Sequence, residues 1–126
     1  MNDSPSIGAA RTWRGAMTIK PSALEYAQLS FSLRGEDIAI AQHFKWQIAE
    51  NKTGFFVDIG CAWPIQISNT YLFSCLGWSG VGIDMNQFHR EGWQRTRPRD
   101  IFVEAAVGDS DSNVNVFAPN ENVGQL

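Results

Sequence analysis

Two carboxylates and a glycine are spaced as they would be to grip a nucleotide. Asp58 interrupts the short apolar run Phe55-Phe-Val-Asp-Ile59, and Gly60 closes it. Twenty-four residues past that glycine, Asp84 ends a second run, Gly80-Val-Gly-Ile-Asp84. A carboxylate inside an apolar strand has to be hydrogen-bonded or charge-paired, so Asp58 calls for a partner or a ligand near the strand tip. In dinucleotide folds an acid at the end of the second strand, roughly 20 residues beyond the glycine turn, accepts hydrogen bonds from ribose hydroxyls. Its two oxygens suit a vicinal diol because they can take both protons at once. The chemistry implied is binding of a nucleotide-type cofactor; an acid at one strand end, taken alone, is as well explained as a helix cap.

The elements that must hold these groups follow from pattern. A glycine-flanked run rich in β-branched and aromatic residues reads as a buried parallel strand, and open α/β sheets bind ligands at the carboxyl ends of such strands. Before it, Ser32-Leu-Arg-Gly-Glu-Asp reads as a helix start. Ile40, Phe44 and Ile48 then recur at helical spacing. Glu36 and Asp37 suit the positive end of that helix dipole. After the strand, Ser68-Asn-Thr70 offers N-caps, Tyr71, Leu72, Phe73 and Leu76 an apolar face, and Gly77 a stop. Strand, helix and strand within about 30 residues make a βαβ unit with a right-handed crossover. A helix over Asn86 to Thr96 is stopped by Pro98. A third strand spans Asp100 to Val107, and Val114-Asn-Val-Phe117 alternates as a return strand. Arg90, Arg95, Arg97 and Arg99 read as a solvated basic face. Residues 1–22 are expected to be a flexible arm, with Trp13 as a candidate anchor, and residues 23–126 a single domain.

Bulk properties narrow the classes. A chain of 126 residues, 44% hydrophobic, is enough for one modest core. A net charge of -3 gives no general attraction to nucleic acid or anionic lipid. No apolar run approaches a membrane span, and no signal-like segment begins the chain. Cys61 and Cys75 are too few for a disulfide framework and read as reduced thiols of a cytoplasmic protein. Two isolated histidines and no cysteine pair at zinc spacing point away from a metal site.

Several blocks, in order, resemble the FkbM-type S-adenosylmethionine-dependent methyltransferases, class I enzymes of Rossmann-like α/β fold. They are Arg34-Gly-Glu-Asp-Ile, Phe56-Val-Asp-Ile-Gly, Pro64 with Ser68-Asn-Thr-Tyr-Leu-Phe, Gly77-Trp-Ser-Gly-Val-Gly-Ile-Asp, Arg97-Pro-Arg-Asp and Ala105-Ala-Val-Gly-Asp. Together they cover roughly residues 30 to 118. The resemblance implies that Asp58, Gly60 and Cys61 belong to the first cofactor motif, and that Asp84, followed by Met85, binds the ribose. It also places Ala105 and Ala106 beside the adenine, with Glu36 helping to close the pocket. The cofactor implied is S-adenosyl-L-methionine, and the acceptor an oxygen on a sugar or small natural product. No residue is singled out as a catalytic base.

Two departures matter. Where many methyltransferases continue the first motif with glycines, this chain has Cys61-Ala-Trp-Pro64. The same feature counts against a nicotinamide dehydrogenase, whose second and third fingerprint glycines are missing. Length is the larger departure, since the resemblance implies a sheet ordered 3-2-1-4-5-7-6 and the chain supplies strands one to three plus a return strand. The expectation is an incomplete Rossmann-like domain, a fragment or shortened member inactive as an isolated chain, with strand one at an open edge. The alternative is a non-catalytic remnant that binds a protein partner, or itself, through that edge.

Overall fold

The structure, a computed structural model, describes residues 10–12, 15–17, 21–113 and 115. Trp13, all of the expected return strand except Asn115, and the run from Ala118 to Leu126 lie outside the described residues. The chain divides into two compact units, Met1–Ser30 and Phe31–Leu126. In the first, β1 (Ala10–Thr12) pairs antiparallel with β2 (Gly15–Met17), and a 3-10 turn covers Pro21–Tyr26. Strands of three residues are too short for period-2 alternation to register, so the pattern reading assigned no element there.

The second unit carries the motifs. In chain order it contains α1 (Glu36–His43), α2 (Lys45–Ala49), β3 (Phe55–Ile59), α3 (Tyr71–Cys75), β4 (Ser79–Asp84), α4 (Arg90–Thr96) and β5 (Ile101–Glu104). Among the described residues β3, β4 and β5 form one parallel sheet in that spatial order, with Val57 opposite Val81 and Val81 opposite Ile101. The α/β class is therefore established as a small three-stranded parallel sheet with helices. No helix among the described residues is long and apolar enough to cross a membrane.

Local chemistry accounts for the boundaries. The Ser32 hydroxyl accepts the Gly35 and Asp37 N–H groups at 3.0 and 3.4 Å, satisfying donors that the first turn of α1 leaves free. The Ser68 hydroxyl does the same for Thr70 and Tyr71 ahead of α3. At the other end of α3, Gly77 takes φ +89°, its N–H bonds to Ser74 O and the Trp78 N–H to Phe73 O. This is the Schellman closure, completed by contact of the Phe73 and Trp78 rings at 5.1 Å. The Asn86 side chain caps the short 3-10 turn Gln87–His89 that leads into α4.

Both crossover helices lie on the same face of the sheet. The Trp93 ring of α4 presses on Gly82, where a Cβ would stand 2.5 Å from it, and sits 5.9 Å from the Phe102 ring. Trp78 packs over Gly54 and meets Phe44, at the junction of α1 and α2, at 5.3 Å. The buried apolar side chains among the described residues are Cys61, Pro64, Phe73, Trp78 and Trp93.

Three expectations are corrected. The run Phe55–Ile59 is parallel, but it is not buried on both faces: Phe55, Val57 and Ile59 are mostly exposed, because only the Phe56 and Asp58 side meets helices. The third strand is Ile101–Glu104, shorter than Asp100 to Val107, since Asp100 turns its carboxylate inward and the ladder with β4 ends at Glu104. Nor is the basic cluster uniformly solvated. Arg97 is 1% exposed and paired at 2.7 Å with Asp100, whose side chain is likewise shut off from solvent. The guanidinium lies 4.0 Å from the Trp93 ring centre and donates to Pro64 O, to Ser68 Oγ and, from both terminal nitrogens, to Thr70 Oγ1.

Removing one partner of a buried ion pair leaves the other uncompensated. Arg97→Ala is therefore expected to lower unfolding free energy by about 3–5 kcal/mol. Arg90→Ala, which breaks the exposed Arg90–Glu104 pair, is expected to cost less than about 1 kcal/mol. Urea titrations of the two variants beside the parent measure the difference.

Candidate functional site

The carboxyl ends of β3 and β4 meet in one small constellation. Gly60, at φ +74°, directs its N–H to Ile83 O at 2.8 Å, and Cys61 N–H reaches the same oxygen at 3.2 Å. Ala62, itself at φ +44°, donates its N–H to Asp84 Oδ2 at 2.9 Å. Its carbonyl accepts the Trp93 Nε1–H at 2.9 Å. A non-glycine residue in the left-handed region costs of order 1–3 kcal/mol unless its surroundings enforce it; here both backbone groups of Ala62 are held. Asp84 Oδ1 accepts Asn86 N–H at 2.8 Å. The acid at the second strand tip is thus tied to the loop after the first. Each of its oxygens accepts one of these bonds and keeps the capacity for another, because a carboxylate offers about four acceptor sites.

Space lies beside this loop. A Cβ built on Gly60 would meet no atom within 4 Å, so packing within the protein does not demand glycine there. Its positive φ does, and the space a side chain would take at Gly60 is left open.

The other expected residues fare differently. Asp58 accepts the Thr70 hydroxyl at 2.7 Å, and that hydroxyl oxygen in turn accepts from Arg97, so the carboxylate anchors α3 to β3. The Cys61 side chain is 4% exposed and turned toward Gly82 on the helix side. Its thiol is pushed up to about 12, first by burial and then by the charges of Asp58 and Asp84, which leaves it unreactive. Met85 is exposed beside Asp84. Ala105 N–H bonds to Asp84 O at 3.1 Å, and Ala105 and Ala106 are exposed along a concavity lined by residues 105–113. Glu36 is exposed, and its carboxylate accepts the Arg34 N–H at 2.8 Å, which holds its pKa below the usual value. The neighbouring Asp37 is the acid taken inside, accepting from Phe31 N–H and the Ser32 hydroxyl.

Sequence reasoning missed an aromatic group beside the site. Trp63, next to Ala62, stands edge-on to His89 at 4.7 Å and to Phe88 at 5.9 Å. His89 is 6% exposed, and its Nδ1 is buried with no hydrogen-bond partner among the described residues. Nothing in the spacing of Trp63 and His89 marks them as neighbours; the loop geometry brings them together. The described residues include no group of three His, Cys, Asp or Glu side chains that could hold a metal ion.

Comparison with family models, with curated proteins and with solved structures finds no match for this chain.

Burial pulls the pKa of His89 below 6.5, with the Asp84 charge opposing. The folded state therefore binds this proton less readily than the unfolded state, and stability contributed by neutral His89 is present above about pH 6.5 and lost as pH falls through that value toward the lowered folded pKa. Urea midpoints taken at pH 7.5 and 5.5 are expected to fall with pH in the parent and to fall less in His89→Gln.

Proposed function

We propose that this chain is the cofactor-binding part of a class I, Rossmann-like methyltransferase that uses S-adenosyl-L-methionine. The observation that carries the reading is the Asp84 carboxylate held 2.9 Å from the Ala62 N–H, beside a Gly60 whose outward side is open. Asp84 has the position and spare acceptor capacity for a ribose diol. The glycine leaves room for the amino-acid end of the cofactor. Parallel strands in the order β3-β4-β5 agree with the first three strands of such a sheet.

The bound cofactor supplies an activated methyl group for in-line transfer to a nucleophile. The chain contributes positioning, which by itself accounts for much of the rate in such a transfer. By the same resemblance the acceptor is a hydroxyl on a sugar or small natural product. Asp58 and Cys61 serve the fold on this reading: one is committed to Thr70, and the other is sealed against Gly82. A partner-binding remnant is the second reading, favoured by the position of β3 at the sheet edge among the described residues. It requires a heteromer or dimer by light scattering in the absence of cofactor.

Calorimetry with S-adenosylhomocysteine tests the proposal. Binding is expected in the parent, with Asp84→Asn weakening it at least about tenfold, or 1.4 kcal/mol. Gly60→Ala is expected to weaken binding too, while costing the fold about 1–2 kcal/mol for its left-handed backbone. A folded sample that binds nothing, or an Asp84→Asn variant that binds like the parent, removes the assignment for this chain. Quenching of tryptophan fluorescence by NAD but not by S-adenosylhomocysteine would point to a nicotinamide enzyme instead.

A further inference from the structure

The loop after β3 is held on both sides of one aromatic residue. Ala62 is fixed by Asp84 and by the Trp93 indole, and the Pro64 carbonyl accepts from the buried Arg97. Trp63 stands between them, half-buried, with the His89 and Phe88 rings at 4.7 and 5.9 Å. The interplanar angles are 71° and 90°, so neither ring lies flat on the indole. His89 in turn feels the charge of Asp84, which sets this aromatic group close to the carboxylate. Chain neighbours and ring contacts thus position Trp63 within one residue of the acid at the second strand tip.

The polar atom of that side chain is uncommitted. The Trp93 Nε1–H is taken by Ala62 O at 2.9 Å, and Trp78 Nε1 is shut away from water. The Trp63 Nε1–H differs from both: among the described residues it has no acceptor, and it is not sealed. Asp84 offers the complementary surplus, spare lone pairs and no proton. A carboxylate only accepts and an indole N–H only donates, whereas a hydroxyl has one proton and two lone pairs. A diol held by Asp84 alone gives up its protons and keeps its lone pairs unmet, which is costly once water is displaced from them.

We propose that Trp63 is the donor half of the sugar site: its indole N–H bonds to the oxygen of a ribose hydroxyl whose proton goes to Asp84. The pair reads both sides of that hydroxyl, and it selects a nucleoside with an intact diol over its deoxy counterpart. A site built to hydrogen-bond a hydroxyl rejects the analogue lacking it, because its own polar groups are then left unpaired. The role rests on the cofactor reading, since Asp84 has to be the diol acceptor. It also gives a use to Cys61-Ala-Trp-Pro64, where the chain departs from a glycine-rich loop. Phenylalanine would cover His89 much as tryptophan does; only the diol makes use of the nitrogen.

Nitrogen-15 NMR of the 126-residue chain reads the bond without any substitution. With the indole resonances sequentially assigned, saturating S-adenosylhomocysteine is expected to move the Trp63 Nε1–H downfield and slow its exchange with water several-fold. The exposed Trp46 is expected to stay in place. In calorimetry Trp63→Phe, which keeps a ring and loses the donor, is expected to weaken binding about three- to tenfold. Analogues lacking the 2′- or the 3′-hydroxyl locate the contact, because for one of them the effect of Trp63→Phe is expected to vanish. Should Trp63→Phe not fold, the resonance of the parent decides alone. A parent that binds no S-adenosylhomocysteine removes the cofactor reading and this role with it. Binding that Asp84→Asn weakens keeps that reading. The role of Trp63 is then overturned by an unmoved Trp63 resonance, or by deoxy analogues that both stay as sensitive to Trp63→Phe as S-adenosylhomocysteine.

Discussion

A guanidinium almost without access to water fixes the geometry of the second unit. Taking Arg97 out of solvent costs several kcal/mol, and the cost is offset only where its donors find acceptors of good geometry. Here Nε meets Asp100, and the terminal nitrogens meet Pro64 O, Ser68 Oγ and Thr70 Oγ1. The rings of Trp93, Phe56 and Tyr71 stand around its carbon at 4.0, 5.2 and 5.8 Å. Asp100 in turn accepts from the Ser74 hydroxyl and the Gly80 N–H. One cation, with its partner Asp100, therefore sets the mutual distances of the loop after β3, the start of α3, the start of β4 and the approach to β5. Moving any of these would leave a buried charge short of a partner.

That constraint reaches the candidate site by two routes and treats its two acids differently. Through Thr70 it reaches Asp58, whose charge is absorbed in holding α3 against β3. Through the stacked Trp93 it reaches the Ala62 carbonyl, and across the Cα of that residue the N–H bound to Asp84. The loop at Gly60 is thus pinned from beneath while its outer side stays open. Asp84 is held without being saturated. Of the two carboxylates, it is the one whose surroundings suit a ligand, because a preorganised acceptor with spare lone pairs binds a diol with little reorganisation.

What the chain declares in its sequence is mostly local. The start of α1, the capping serine before α3, the glycine that ends it and the two parallel runs all rest on spacing within a few residues. The adjacency of Asp84 to the Gly60 loop was legible because a βαβ unit brings successive strand tips together. Arg97 was not, since its partners Pro64, Ser68 and Thr70 are about 30 residues away and nothing in Arg97-Pro-Arg-Asp separates a buried arginine from a solvated one. His89 and Trp63 were hidden for the same reason. The run Phe55–Ile59 misled in another way: continuous apolar patterning reports how a strand is suited to be buried, not whether both faces are covered in a given stretch of chain.

The balance between these features bears on what the unit can do unaided. Among the described residues the buried set holds more polar and charged side chains than apolar ones: Asp37, Ser68, Thr70, Ser74, His89 and Arg97 against Cys61, Pro64, Phe73, Trp78 and Trp93. Satisfied polar networks can specify an arrangement while adding little net stability, because each hydrogen bond to protein replaces one to water. Apolar burial is the term that normally supplies the margin, and here a whole sheet face of valine, isoleucine and phenylalanine withholds it. A unit so built has its loops and acids in register at the expense of reserve stability.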